Sequence, residues 1–327
     1  MELSSLGLGT YLGVADDAGD LRYTRSAQAF FEGGGTVFDT AANYRSGRSE
    51  RALGDAFRNF PRNAFFVSTK AGYLPMGDGV TKESPQAWFE RELSGILSAQ
   101  EVVDSCHAMT PKYLSHQLDV SLRSLGISQL DLFHVHNPEQ QRPVLGPVAF
   151  RKAMRSAFES CEGFVGEGRI QSYGCATWNG FRVPPDRPEH LNLEELLGLA
   201  AAVGGKDHHF RWIQLPLNLA MPEAYLKPTQ RFGGRDMPIL EAARCAGLKV
   251  QTSASLMQAK ILPQLSAEMI AAFGCDTAAQ AALQFTRSCP GVTVALVGMS
   301  RVEHVQQNQI VLGLPKLDEA ALKTLFP

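Results

Sequence analysis

The sequence predicts an α/β protein built as one (β/α)8 TIM barrel over residues 1–327. Three observations carry that expectation. Short β-rich runs alternate with longer helical patterns from one end of the chain to the other, which calls for parallel strands joined by crossover helices. The runs number eight, and a length of 327 residues suits a barrel of about 250 residues with insertions. The rival, an open doubly wound sheet, wants a phosphate-binding glycine turn after its first strand, and no helix opens behind "GLGTYLG".

Taken in order, the strands are expected at residues 6–11, 36–39, 65–70, 131–136, 172–176, 212–217, 249–253 and 293–297. Gly9 and the run Gly33, Gly34 and Gly35 read most simply as turn and helix-ending residues. No linker or solenoid repeat divides the chain, and "PPDRP" at 184–188 is a local loop. The exception to regular spacing is residues 71–110. This long stretch separates the third strand from a helix whose N-cap is Thr110 and whose first residue is Pro111. Part of it, "ESPQAWFERELSGILSAQEVVDSC", looks helical. An insertion after a barrel strand's C-terminal end is expected to lie over the mouth as a lid, with a surface excursion as the plain alternative.

Composition excludes several classes of function. The chain is 44% hydrophobic and 20% charged, with a net charge of -2 and a pI near 6.5. That balance gives no footprint for nucleic acid or an anionic membrane. No apolar run reaches the roughly 20 residues of a spanning helix, and "MELSSLGLGTYLG" lacks the basic flank of a signal peptide. A soluble cytoplasmic protein is expected. The six cysteines, Cys106, Cys161, Cys175, Cys245, Cys275 and Cys289, are scattered without close pairing and read as buried free thiols.

Chemistry gathers at three strand ends. "TVFD" ends in Asp39, "FFVSTK" in Lys70 and "DLFHVH" in His136. Strand side chains alternate, so Val37 shares a face with Asp39, Ser68 with Lys70, and His134 with His136. If all three terminal residues point inward, they meet at the barrel's C-terminal mouth, where Tyr44 can join them from the loop after the second strand. A carboxylate, an ammonium and an imidazole are costly to bury unless they pair. A phenol has an ordinary pKa near 10. An ammonium about 4 Å away, at an effective dielectric near 20, favours phenolate by roughly 4 kcal/mol and is expected to bring Tyr44 down into the range of a general acid. Asp39 would hold Lys70, and His136 would bond the substrate oxygen.

These stretches resemble the aldo-keto reductases. "FDTAANYRSGRSERALG", "VSTKAG" and "DLFHVHNPE" match the family's aspartate-tyrosine, lysine and histidine motifs. "LGLGTYLG", "IQLPLN" and "GVTVALVGMSRVEHVQQN" extend the match over nearly the whole chain. The resemblance implies a barrel that binds an extended NADPH, with NADH also possible, and reduces a small aldehyde or ketone. It implies a catalytic tetrad of Tyr44, Lys70, Asp39 and His136, with no metal. It further implies a cofactor track of Gly9, Thr10, Asp39, Thr177, Gln214, Ser253, Leu256, Gly298, Ser300, Arg301, His304, Gln307 and Asn308. By their places in the chain, Tyr11, His107 near the end of the suspected lid and Trp178 after the fifth strand are the candidate substrate contacts, with a packing anchor as the alternative for Trp178.

Three departures weaken the expected grip on the cofactor. Ala176 and Thr177 stand where many members carry Ser-Asn, Ser253 stands where an aromatic ring often stacks, and His304 aligns with the usual phosphate-binding arginine, leaving Arg301 and Ser300 as substitutes. Two rivals remain open. The "HVH" at 134–136 suggests a metal-dependent hydrolase, but two histidines fall short of the three protein ligands of catalytic zinc. A cofactor-binding regulatory subunit with little turnover is the other. His134 by itself reads as a core histidine.

Overall fold

A computed structural model describes residues 1–76, 84–323 and 325 of the chain. Eight parallel strands close a barrel: β1 (Leu6–Gly9), β2 (Val37–Asp39), β3 (Phe66–Ala71), β4 (Leu132–His136), β5 (Tyr173–Ala176), β6 (Phe210–Pro216), β7 (Lys249–Ser253) and β8 (Val294–Gly298), with β8 pairing back to β1. Each falls within two residues of its expected place at either end. The crossover helices are α1 (Asp17–Glu32), α2 (Arg48–Phe57), α3 (Pro111–Leu125), α4 (Arg142–Gly166), α5 (Leu193–Gly204), α6 (Ile239–Cys245), α7 (Ala278–Ser288) and α8 (Val302–Gln309). The boundaries of α3 follow the sequence signals closely. Thr110 accepts from Tyr113 N, Pro111 opens the helix, and Gly126 closes it at φ 66° in the left-handed region.

The barrel interior is layered by the alternation of each strand. At the N-terminal end Val37, Phe66, Leu132, Trp212, Val294 and Leu296 fill it with apolar side chains. One step toward the mouth the inward positions become polar: Asp39, Ser68, His134, Gln214 and Gln251, all buried. The register places Asp39 beside Ser68 and Lys70 beside His134, so ionisable groups from three strands share adjoining layers. Gly174 makes room for them, since a Cβ there would stand 2.1 Å from Trp212 O and 2.9 Å from His134 Nδ1. Outside the barrel, the main core includes Phe30, Phe38, Phe57 and Phe65 under α1 and α2.

Three features depart from expectation. A small hairpin, Gln230–Phe232 with Arg235–Met237, lies outside the barrel. The expected long helix in the insertion is instead one helix, Pro85–Leu93, capped by Ser84, followed by a short turn at Ala99–Glu101 with a Ser98–Glu101 capping box. It stops because Gly95 turns at φ 75°. Leu74, Leu93 and Leu97 pack on Tyr113 of α3 as a separate small core, and residues 77–83 of the predicted lid lie outside the described residues. Finally, Cys245 is exposed and Cys106 half-buried, while the other four thiols are buried; α6 turns Cys245 away from the core. No helix among the described residues is long and apolar enough to cross a membrane.

Candidate active site

Lys70 is completely buried at the mouth end of β3, and its ammonium is held by two acceptors. Nζ donates to Asp39 Oδ2 at 2.6 Å and to the Thr40 carbonyl at 2.7 Å. The other carboxylate oxygen, Asp39 Oδ1, accepts from Ser68 Oγ at 2.7 Å and from Gln214 Nε2 at 3.0 Å. Both oxygens are therefore satisfied, which is what a buried carboxylate requires. Burial pushes the Lys70 ammonium down from its usual range, and the adjacent Asp39 opposes that shift. Behind Lys70, the buried Glu50 accepts from Thr69 Oγ1 at 2.6 Å, and its own desolvation raises its pKa.

Tyr44 reaches this spot from a strained turn. Arg45 and Ser46 lie at φ 48° and 56°, in the left-handed region where non-glycine residues cost about 1 to 3 kcal/mol each. The turn is pinned by Arg45, nearly buried, whose Nε donates to Val14 O at 2.9 Å and whose guanidinium bonds Asp20 Oδ1 at 2.6 Å. The result sets the Tyr44 ring 4.8 Å from Lys70 Nζ, 5.9 Å from the His136 ring and 5.0 Å from the Tyr11 ring.

The expected downward shift of Tyr44 does not occur. Its pKa is raised well above 10, first by burial and then by Asp39, Tyr11 and Tyr73. The main reason is desolvation: removing the phenol from water penalises the phenolate, and the Asp39 carboxylate, held nearby by Lys70, adds to that penalty. Tyr44 is thus a fully protonated phenol at neutral pH.

His136 lies at the end of β4 with its Nδ1 buried and without a partner. Burial, then Lys70, His107 and His134, hold its pKa well below 6.5, so the imidazole is neutral. Its backbone carbonyl accepts from His107 Nε2 at 2.6 Å, and Gln141 Nε2 donates to His107 Nδ1 at 3.0 Å. His107 is sealed completely by these contacts, with a pKa lowered to about 4. Expected as a substrate contact, it is instead placed behind His136, because the insertion folds back beside β4 rather than presenting this ring to the mouth.

Beneath the mouth a buried chain of side chains links the strands. Gln214 Nε2 also donates to Gln251 Oε1 at 2.9 Å, Gln251 Nε2 donates to Ser68 Oγ at 3.2 Å, and His134 Nε2 meets Gln251 Oε1 at 3.1 Å. His134 is thereby a partner of this network, with a pKa near 4 set chiefly by burial. Among the described residues no cluster of three or more potential metal ligands occurs.

The remaining predicted residues lie around the same rim. Gly9 and Gly298 are register partners on β1 and β8, and a Cβ on either would meet nothing nearer than 3.7 Å. Ala176 ends β5, separated from this pair by β6 and β7 in the barrel order. Thr10 is buried, with Oγ1 donating to Asp39 O at 3.3 Å. Thr177 is turned to Gln214 O at 3.2 Å, and Ser253 and Leu256 follow on the half-buried β7 end. Arg301 caps α8 with Ser300 before it, and His304 and Gln307 are exposed on that helix while Asn308 is buried. Tyr11 and Trp178 are 58% and 48% exposed.

Sequence reasoning missed four residues. Tyr73 stands edge-on to both His136 and His107, at 5.0 and 5.1 Å. Asn137, at φ 44°, donates from Nδ2 to Tyr73 OH at 3.1 Å. Glu139 is buried and accepts backbone N–H bonds from Trp178, Asn179 and Gly180. Gln251 could have been found from its polar side chain at an inward position of "KVQTS"; the other three depend on loop conformation.

Residues 5–183 match the model of the Aldo/keto reductase family. D-threo-aldose 1-dehydrogenase from a Pseudomonas species is 30% identical over 45% of this chain and 41% of that enzyme. NADH-specific methylglyoxal reductase from Escherichia coli is 28% identical over 53% of this chain and 48% of its own, so the chain matches less than half the length of either. A putative voltage-gated potassium channel subunit beta from Schizosaccharomyces pombe is 22% identical over 99% of this chain and 89% of its own. An aldo/keto reductase from Klebsiella pneumoniae, solved with NADP and acetate, shares the fold with a TM-score of 0.67 at 22% identity, covering 99% of this chain and 90% of that one.

Proposed function

The chain belongs to the Aldo/keto reductase family, and on that premise we propose that it reduces an aldehyde or ketone to an alcohol with Tyr44 as the proton donor. The observation that carries the reading is the seating of Lys70, bonded to Asp39 at 2.6 Å and lying 4.8 Å from the Tyr44 ring. A neutral phenol holds its proton at any physiological pH. As that proton passes to a carbonyl oxygen, negative charge develops on Tyr44 beside a buried ammonium, where the low dielectric makes the attraction strong. The neutral His136, its ring 5.9 Å from that of Tyr44, orients the same oxygen, and Asp39 keeps Lys70 in place.

The space left by Gly9 and Gly298 at the adjoining ends of β1 and β8 suits a nicotinamide dinucleotide, which would supply the hydride. Gln214 and Thr177 would hold the nicotinamide end, and Arg301, Ser300 and His304 the phosphate end. NADPH is the favoured cofactor on this reading and NADH a possible one, in keeping with the NADP-bound Klebsiella structure and the NADH-specific relative. The decisive experiment is a panel of carbonyl compounds run with each cofactor against the parent and Tyr44→Phe. Turnover by the parent and its near-complete loss in the variant, with cofactor binding retained, is expected; a variant within a few-fold of the parent would move the acid elsewhere.

A regulatory subunit with little turnover is the second reading, favoured by the channel-subunit relative that aligns over 99% of this chain. Single-turnover oxidation of bound NADPH by an aldehyde separates the two.

A further inference from the structure

The pairing of β3 with β4 ends at Ala71 and Val135, one residue short of His136. A strand end leaves carbonyls in need of a donor. For His136 a side chain supplies it: His107 Nε2 donates to the carbonyl at 2.6 Å. A Cβ on Gly72 would stand 2.6 Å from His136 O and 2.7 Å from His107 Nε2, so the contact needs a glycine at residue 72. Gln141 Nε2 donates to His107 Nδ1 at 3.0 Å, which leaves the proton of the neutral ring on Nε2, where the bond to His136 requires it. The segment that carries His107 is itself tied down. Val103 and His107 exchange backbone bonds of 2.8 and 3.0 Å across a left-handed turn at Asp104 and Ser105, and Ala108 N donates to Gly72 O at 2.8 Å.

The insertion holds the end of β4 in a second way. Tyr73, joined to His107 in an antiparallel bridge, sets its ring edge-on 5.0 Å from the His136 ring, and its hydroxyl oxygen accepts from Asn137 Nδ2 at 3.1 Å. Tyr73 is anchored in turn, since its carbonyl accepts from the hydroxyl of the buried Tyr113 at 2.8 Å. Asn137 follows His136 directly and stands at φ 44°. A non-glycine residue keeps that left-handed conformation only where its surroundings impose it; here the carbonyl before it and the side chain on it are both bonded to the insertion. The His136 ring has no partner at Nδ1 to steer it. Its aim therefore depends on the backbone that carries it and on Tyr73.

We propose that His107 is a positioning residue for the reduction: by holding the His136 carbonyl it fixes the direction in which the imidazole meets the substrate oxygen, and the insertion after β3 is thereby part of the catalytic apparatus. The inference rests on the reading of Tyr44 and His136 as the carbonyl site. His107 is completely buried, so its effect passes through His136. It acts on the chemical step and not on binding of the dinucleotide, because a misplacement of about 1 Å in an orienting group can cost on the order of a hundredfold in rate.

Three variants and two measurements test it. His107→Leu fills the site without a donor, His107→Gln returns an N–H near the place of Nε2 together with an oxygen for Gln141, and Gln141→Leu keeps the ring but releases its tautomer. Single-turnover oxidation of bound NADPH by an aldehyde should slow by about tenfold or more in His107→Leu, slow less in Gln141→Leu, and recover to within about a few-fold of the parent in His107→Gln, with NADPH affinity held within about twofold throughout. Equal rates in the Leu and Gln variants of His107 would reduce the residue to packing and overturn the proposal. The 15N resonances of the His136 ring, assigned by their loss in His136→Gln, read its aim without turnover; they should shift or broaden in His107→Leu and return in His107→Gln. That pattern with no turnover by the parent would sink the reading of Tyr44 and His136 and leave the hold of His107 on His136 standing, whereas a parent-like His136 spectrum in His107→Leu would sink the proposal itself. Should His107→Leu fail to fold, Gln141→Leu carries both measurements, and a parent-like rate and spectrum there would overturn it equally.

Discussion

Lys70 Nζ and Asp39 Oδ2 meet at 2.6 Å where neither residue is more than 3% exposed. Such a pair is worth little against an apolar substitute but is expensive to break, since removal of one member strands the other charge. Lys70→Met should therefore lower stability by about 3 kcal/mol or more. Adding Asp39→Asn should return part of that loss, because the stranded charge is then gone. Urea unfolding of the parent, both single variants and the double variant reads the cycle; simple additivity would mean that the two groups do not depend on each other.

A second expectation concerns acid. His107 and His134 have pKa values lowered to about 4 in the folded protein, against about 6.5 in the unfolded chain. The folded state thus binds fewer protons between those values, so stability is complete above about pH 6.5 and falls as the pH drops toward 4, by up to about 1.4 kcal/mol per pH unit for each ring. For His107 the cause is also geometric: Nε2 must donate to His136 O, leaving Nδ1 to accept from Gln141, and a second proton would oppose that donor. Urea midpoints measured from pH 7 to pH 5 should decline in the parent and more gently in His107→Gln. Equal slopes would remove His107 from the account.

At Gly174 the space for a side chain is taken by the backbone. A Cβ 2.1 Å from Trp212 O cannot be relieved by rotating a side chain, and the second contact is the His134 ring at 2.9 Å. Gly174→Ala should cost about 1 to 3 kcal/mol and disturb the bond from His134 to Gln251. A lowered thermal midpoint is the expected result; an unchanged one would mean that β5 and β6 can separate without cost.

Arg301 is exposed ahead of α8, free to make a charge-assisted contact with a phosphate. Arg301→Ala should weaken NADPH markedly more than NADH, read by paired fluorescence titrations. Equal losses would place the phosphate elsewhere.

The sequence alone carried most of the frame. Alternation along "TVFD", "FFVSTK" and "DLFHVH" located three strands and told which of their side chains share a face, because the period of a strand is a local property of the backbone. Thr110, Pro111 and Gly126 likewise bounded α3 through caps that involve only neighbours in sequence. Counting the strands was enough to reach a barrel and to bring Asp39, Lys70 and His136 to one end.

What the sequence could not decide depends on contacts made at a distance. Asp39 and Gln214 are 175 residues apart, yet their hydrogen bond helps to occupy the carboxylate that holds Lys70. The protonation of Tyr44 turned on burial: the charge of Lys70 was legible, the desolvation of the phenol beside Asp39 was not, and the tyrosine pKa moved up instead of down. His107 went behind His136 because the insertion packs on Tyr113, and Glu139 gathers the amides of Trp178, Asn179 and Gly180 only once the loop after β5 comes beside it. Burial and competition for partners set these outcomes, and both belong to the closed barrel rather than to any stretch of the chain.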